Sequence, residues 1–136
     1  MYFMCGILFT NDKSISLSQF RKAFNLMKHR GPDFSRIIQK KNFLIGHHRL
    51  SIIDLNKRSN QPFQLNNHIL IFNGEIYNYK NLIAEHKLNV KTKSDTEVIL
   101  LMYLKYGSNF LKYLNGMFSF VIVNLLNYEV FAARDR

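Results

Sequence analysis

Apolar residues recur along this chain in two periods, about two in some stretches and near 3.6 in others, and the period selects the element. Met4 to Thr10 is a short apolar run ended by Asn11-Asp12-Lys13, which reads as a buried strand. Ser16 with Gln19 three residues on is a capping-box pair, so a helix should begin at Leu17. Leu17, Phe20, Phe24 and Met27 share one face of that helix, and Gly31-Pro32 stops it. Ser35 to Gln39 and Phe43 to Arg49 read as two strands turning at Lys40-Lys41-Asn42, and Leu50 to Leu55 stays apolar around Asp54. Gln61-Pro62-Phe63 is a rigid corner. His68 to Phe72 is a further strand that runs into Asn73-Gly74-Glu75, where the Asn-Gly step signals a tight turn. Asn78 is placed to cap a short helix from Tyr79 to Glu85, and Lys87 to Lys93 is loop. Ser94 with Glu97 is a second capping box, heading a helix from Asp95 to about Tyr106 with Val98, Leu101 and Met102 on its apolar side. Phe110 to Leu114 adds a helical turn, and Met117–Asn124 with Tyr128–Ala133 makes a closing hairpin. Strands at the start, middle and end with helices between them predict an α+β fold in which antiparallel sheet dominates.

Composition narrows the class. The 136 residues suit one domain, and 47% hydrophobic with 21% charged residues is a globular composition. The formal charge of +10, from 19 basic and 9 acidic residues, raises the question of an anionic partner. The basic residues are spread along the chain, so the charge reads as a solvated surface and no nucleic acid is expected. No apolar run approaches bilayer length, so no membrane is expected, and the N-terminus lacks the pattern of a signal peptide. One cysteine excludes an intramolecular disulfide, in keeping with the cytoplasm. His47 and His48 are adjacent on a strand and face opposite ways. With no His-x-x-x-His and no Cys cluster, no metal site is expected.

A small set of residues carries candidate chemistry, each with a plainer structural reading beside it. Cys5 is a core hydrophobe or a thiol nucleophile. No base neighbours it in sequence, but its own α-amino group would serve if Cys5 opened the mature chain. Asn73, the Gly74 N–H and Glu75 are a turn with a solvent-facing acid, or an amide and N–H pair suited to an oxyanion. Arg49 is a salt-bridge partner or a fork for a carboxylate. Asp95 is favoured by the helix dipole and is also placed to hold an ammonium group. Together the set suits an α-amino acid with a side-chain carbonyl, such as glutamine.

The ordered blocks Met4-Cys5-Gly6-Ile7, His29-Arg30-Gly31-Pro32-Asp33, His48-Arg49-Leu50-Ser51-Ile52-Ile53-Asp54 and Gln61-Pro62 cover the first half. Phe72-Asn73-Gly74-Glu75-Ile76-Tyr77-Asn78, Ser94-Asp95-Thr96-Glu97-Val98, Asn115-Gly116-Met117-Phe118 and Ala133-Arg134-Asp135 cover the second. In this order they resemble the class II glutamine amidotransferase domain, an N-terminal-nucleophile hydrolase, over residues 1–136, in the form found in glutamine-hydrolysing asparagine synthetases. The resemblance implies a four-layer αββα sandwich of antiparallel sheets, here C-terminally incomplete. It implies that Cys5 attacks the glutamine amide through a thioester while Asn73 and Gly74 hold the oxyanion. Arg49, Ile52, Ile53, Glu75 and Asp95 would bind the substrate. It further implies L-glutamine as substrate and a synthetase domain, in the same or a separate chain, as partner. No cofactor is implied in this chain; ATP and Mg belong to that absent domain. A homodimer is compatible with the resemblance. Related amidotransferases act on other carboxylates, such as sugar acids, and a non-catalytic remnant is the other alternative. Met1-Tyr2-Phe3 precedes the usual start: a Met1-initiated chain would keep Cys5 in a peptide bond and should have no glutaminase activity.

Overall fold

The computed structural model describes residues 5–51 and 54–136. Its elements are β1 (Gly6–Thr10), α1 (Leu17–Leu26), β2 (Phe34–Lys40), β3 (Phe43–Arg49), β4 (Phe63–Leu65), β5 (His68–Ile76), α2 (Tyr79–His86), α3 (Asp95–Tyr106), β6 (Gly116–Asn124) and β7 (Val130–Arg134). They form two antiparallel sheets, β1-β3-β2 and β4-β5-β6-β7. The fold class is α+β, as the strand and helix pattern implies.

The period-2 pattern of each central strand assigns its faces. Phe43 and Ile45 of β3 cluster with Ile69 and Ile71 of β5 and Val123 of β6, so odd-numbered positions of β3 and β5 meet between the sheets. Leu44 faces the other way, onto Phe20 and Phe24 of α1. Leu70, Phe72 and Ile76 of β5 face Leu82 of α2 and Val98, Ile99 and Met102 of α3. Burying such side chains is worth roughly 1.5–3 kcal/mol each, so these three clusters fix which face each strand presents. The adjacent histidines obey the same rule. His47 Nε2 reaches Phe72 O between the sheets (3.0 Å), and His48 Nε2 reaches Phe24 O under α1 (2.8 Å).

Ser16 and Gln19 form the full capping box that opens α1. The helix does not run to Gly31. Its last helical residue is Leu26, and a 3-10 turn over Lys28–Arg30 follows. Gly31 serves a close approach instead: a Cβ there would lie 2.3 Å from the His48 carbonyl carbon and oxygen.

Three further expectations change in the folded chain. Asn73-Gly74 is not a tight turn. β5 continues through both residues to Ile76 and pairs with β6 along its whole length. The glycine is needed because its φ is +141° and a Cβ would sit 2.1 Å from Met117 O, so cross-strand packing overrides the local turn signal. Asn78 caps no helix with its side chain. It bonds Tyr113 O (2.8 Å) and the Asn115 N–H (3.1 Å), tying α2 to the start of β6. The second capping box is one-sided: Ser94 Oγ accepts from the Thr96 N–H, but Glu97 reaches past Ser94 to the N–H groups of Lys91 and Thr92. β3 runs from Phe43 to Arg49, as its pattern implies; Leu50, Ser51, Asp54 and Leu55 belong to no strand, and Ile52 and Ile53 lie outside the described residues.

Candidate active site

The open edge of β5 is the natural starting point. β4 pairs with β5 only from His68 to Leu70. Beyond that, main-chain groups on this edge must find other partners. The Phe72 N–H donates to Gln61 Oε1 (2.6 Å) and its carbonyl accepts from His47. The Ile76 N–H donates to Asp95 Oδ2 (3.0 Å). Gly74 lies between them. Its cross-strand neighbour Phe118 turns its carbonyl away from β5, to the Asp135 N–H (2.9 Å), so the Gly74 N–H points to the same open edge as those of Phe72 and Ile76. Among the described residues this N–H has no partner. Asn73, next to it, carries its side chain on the inter-sheet face with Ile69 and Ile71. It is 9% exposed, and its Oδ1 is a buried acceptor without a bond.

Cys5 precedes β1, whose Ile7 and Phe9 pack between the sheets. The Leu50 N–H donates to Cys5 Sγ (3.3 Å), and the thiol turns towards Leu50 O at 3.7 Å. Arg30 Nε donates to the Cys5 carbonyl (3.2 Å), which anchors the residue's main chain. Burial pushes the Cys5 thiol pKa up, against the Leu50 hydrogen bond and the Arg49 charge, which pull it down, while Asp95 adds to the rise. The resting group is therefore a thiol, and nucleophilic use requires a base. The thiol feels both Arg49 and Asp95, which places the three groups in one electrostatic neighbourhood.

Arg49, at the end of β3, makes no salt bridge among the described residues. Its Nη1 donates to Asn56 O (3.2 Å) and Asn60 Oδ1 (2.5 Å), and its Nη2 to Asp54 O. Three of five N–H donors are thus used, which leaves the Nε–H and one Nη2–H. The loop that holds Arg49 is folded on the Asp54 carboxylate, which accepts from the Asn56 N–H, Ser59 Oγ and the Lys93 N–H. An open cleft of about 420 Å³ beside it is lined by Asp33, Arg49, Ser51, Leu55, Lys57 and Asn60, among others.

Asp95 opens α3 and is 4% exposed. Burial pushes its carboxyl up to about 6, hydrogen bonding to Ile76 opposes the rise, and the nearby Glu75 charge adds to it. Glu75 itself is exposed.

The Cys5 thiol thus feels the charges of Arg49 and Asp95, and Asp95 feels that of Glu75, with Asn73 and Gly74 on the strand that carries Glu75. The side chains of Ile52 and Ile53 lie outside the described residues. Sequence reasoning assigned no role to Arg30, Asp54, Asn60 or Gln61. Their partners lie 5 to 25 residues away or more, and only the fold joins them. Among the described residues no group of three or more His, Cys, Asp and Glu side chains is placed to hold a metal, and no helix is long and apolar enough to cross a membrane.

Residues 4–136 match the model of the glutamine amidotransferase domain family. Asparagine synthetase B (glutamine-hydrolyzing) of Escherichia coli is 40% identical over 97% of this chain. The asparagine synthetases (glutamine-hydrolyzing) of Triphysaria versicolor and Asparagus officinalis are 37% and 36% identical over the same share. The chain spans about a quarter of the length of these relatives, 25%, 24% and 23% respectively. A family match over residues 4–136, with relatives 36% to 40% identical across 97% of the chain, shows that this chain belongs to the glutamine amidotransferase domain family.

Proposed function

We propose that this chain hydrolyses the side-chain amide of L-glutamine at Cys5. In a longer protein or assembly the ammonia passes to an ATP-dependent synthetase domain that amidates aspartate. The observation that carries the reading is the Gly74 N–H. It is the one group in the Phe72, Gly74 and Ile76 row without a partner among the described residues, and it lies beside the buried Asn73 amide.

The chemistry follows from the groups. The free α-amino group of an N-terminal Cys5 takes the thiol proton as Sγ bonds to the amide carbon. The carbonyl oxygen becomes an oxyanion held by the Gly74 N–H and the Asn73 amide. The proton passes to the leaving nitrogen, the C–N bond breaks, and ammonia leaves a glutamyl thioester. Water adds to the thioester, glutamate departs and the thiol is restored. The unused Nε–H and Nη2–H of Arg49 suit the α-carboxylate side-on, and Asp95 with Glu75 suits the α-ammonium. The three apolar clusters, one under α1, one between the sheets and one under α2 and α3, support a four-layer αββα arrangement of the N-terminal-nucleophile type.

The test is glutamate release by two forms of the protein, one beginning at Cys5 and one retaining Met1. Glutamate from the first alone, with a glutamyl adduct on Cys5 in quenched samples, is the expected result. Equal release by both, or by a Cys5→Ala form, overturns the mechanism.

A further inference from the structure

We infer that Asp54 is a positioning residue: it fixes the separation between Arg49 and Asp95, the groups that take the two charged ends of the substrate's α-carbon. The inference rests on the glutaminase reading above and adds a residue to it.

The α-carboxylate and α-ammonium of an amino acid share one carbon, so their separation is set by covalent geometry. Two receptor groups on different elements must be held at the matching distance. Arg49 ends β3 and Asp95 begins α3, 46 positions later, and no sheet hydrogen bond joins those two elements. Asp54 joins them. Its carbonyl accepts from Arg49 Nη2. Its Oδ1 accepts from the Asn56 N–H (2.9 Å), and its Oδ2 from Ser59 Oγ (2.7 Å). These bonds shape the loop whose Asn56 carbonyl and Asn60 amide also grip Arg49. The same Oδ2 accepts from the Lys93 N–H (3.0 Å), in the turn just before the Ser94 N-cap and Asp95. A single carboxylate oxygen therefore ties the Arg49 loop to the start of α3.

The link is permanent at working pH. Burial pushes the Asp54 carboxyl up, but the bonds from Ser59, Asn56 and Lys93 outweigh it and hold the group at about 2. Asp54 is 8% exposed. Nothing places its carboxylate on the substrate; it acts through Arg49 and Asp95.

The test compares Asp54→Asn with wild type, both beginning at Cys5, on two substrates. One is glutamine, which engages both receptors. The other is 4-carbamoylbutanoate, which is glutamine without its α-ammonium and engages Arg49 alone. Misplacing one receptor by about an ångström costs up to about 100-fold, so D54N should raise the glutamine KM about tenfold, with kcat within about threefold. Asn keeps an acceptor for the Asn56 N–H and can donate to Ser59 Oγ, so the loop's grip on Arg49 stands while the Lys93 link is lost; kcat/KM for 4-carbamoylbutanoate should change by less than about twofold, and the preference for glutamine collapses. Ser59→Ala removes one bond inside the loop but keeps the Lys93 link, and it should keep the preference. A merely structural role lowers the active fraction and both substrates fall together; that result, or no change with either, overturns the inference. Should D54N not fold, Asp54→Glu reads the same ratio, because it keeps the charge and moves the carboxylate by one methylene. No glutamate from the wild type overturns the glutaminase reading itself, and the inference with it.

Discussion

Asp95 shows how a carboxylate proposed to bind the substrate strains the protein that holds it. Its carboxylate is buried beside Glu75 and pushed up to about 6, so its ionised form is costly in the absence of a cation. In the proposed function, glutamine's ammonium supplies that cation. Below about pH 6 the carboxyl is protonated and loses the attraction, so the glutamine KM should climb as pH falls through that value while kcat changes less. A KM that stays flat from pH 7 to 5 would remove Asp95 from the ammonium site. Asp95→Asn keeps an acceptor for the Ile76 N–H and removes the buried charge. At pH 7.5 it should raise stability by on the order of 2 kcal/mol, measured by denaturant titration, and abolish glutamine saturation.

At the scale of the element, the uneven pairing of β5 leaves open the groups proposed to hold the oxyanion. β6 pairs with it along its full length, while β4 stops at Leu70, so three successive outward N–H groups face an edge with no strand. Gln61 and Asp95 take two of them, and the third stays available at Gly74. Gly74→Ala tests this geometry. The new methyl would meet Met117 O at 2.1 Å, in a backbone with φ of +141° that L side chains rarely adopt. The variant should lose about 3 kcal/mol or more of stability, read from thermal or denaturant unfolding. A stable G74A with unchanged unfolding would mean that β6 does not approach as closely as described.

Across the whole molecule, two buried titratable groups oppose each other. Burial drives His47 down to about 4, its bond to Phe72 pulls the other way, and Arg49 and His48 add to the fall. As pH falls from about 6.5 to 4, the unfolded chain protonates this histidine and the folded chain does not, so stability is lost. Asp95 behaves oppositely. From about pH 6 down to about 3.8 the folded chain takes the proton first, so stability is gained. The two slopes cancel over nearly the same window, and the unfolding midpoint should be almost level between pH 4 and 6. In D95N it should fall with falling pH, and in His47→Gln it should rise; thermal melts across that range check both signs. Below about pH 4 the unfolded chain protonates Asp54 while the folded chain, holding it at about 2, does not, so the acid limb starts there. With 9 acids among 28 charged side chains, Asp33, Asp54, Asp95 and Glu97 serve main-chain N–H groups. Of the cations, Arg30, Arg49 and Lys105 likewise serve main-chain carbonyls.

Element type and order were legible in the chain itself, because periodicity and capping are local. Ser16 with Gln19 opens α1, Asp95 to Tyr106 is helical to the residue, and His47 and His48 part to opposite faces, all from spacing alone. The ordered motifs likewise identified the family from the linear sequence, since they depend on residue identity and order. Tertiary structure decided what local signals could not carry. It made Asn73-Gly74 a strand, because β6 lies against the glycine, and it sent the Asn78 and Glu97 side chains to partners outside the expected caps. It also gave Arg30 to the Cys5 carbonyl and Asp54 to Lys93, pairs 25 and 39 residues apart. Hydrogen bonds of that span exist only once the chain has folded back on itself, so no short window along it contains both partners.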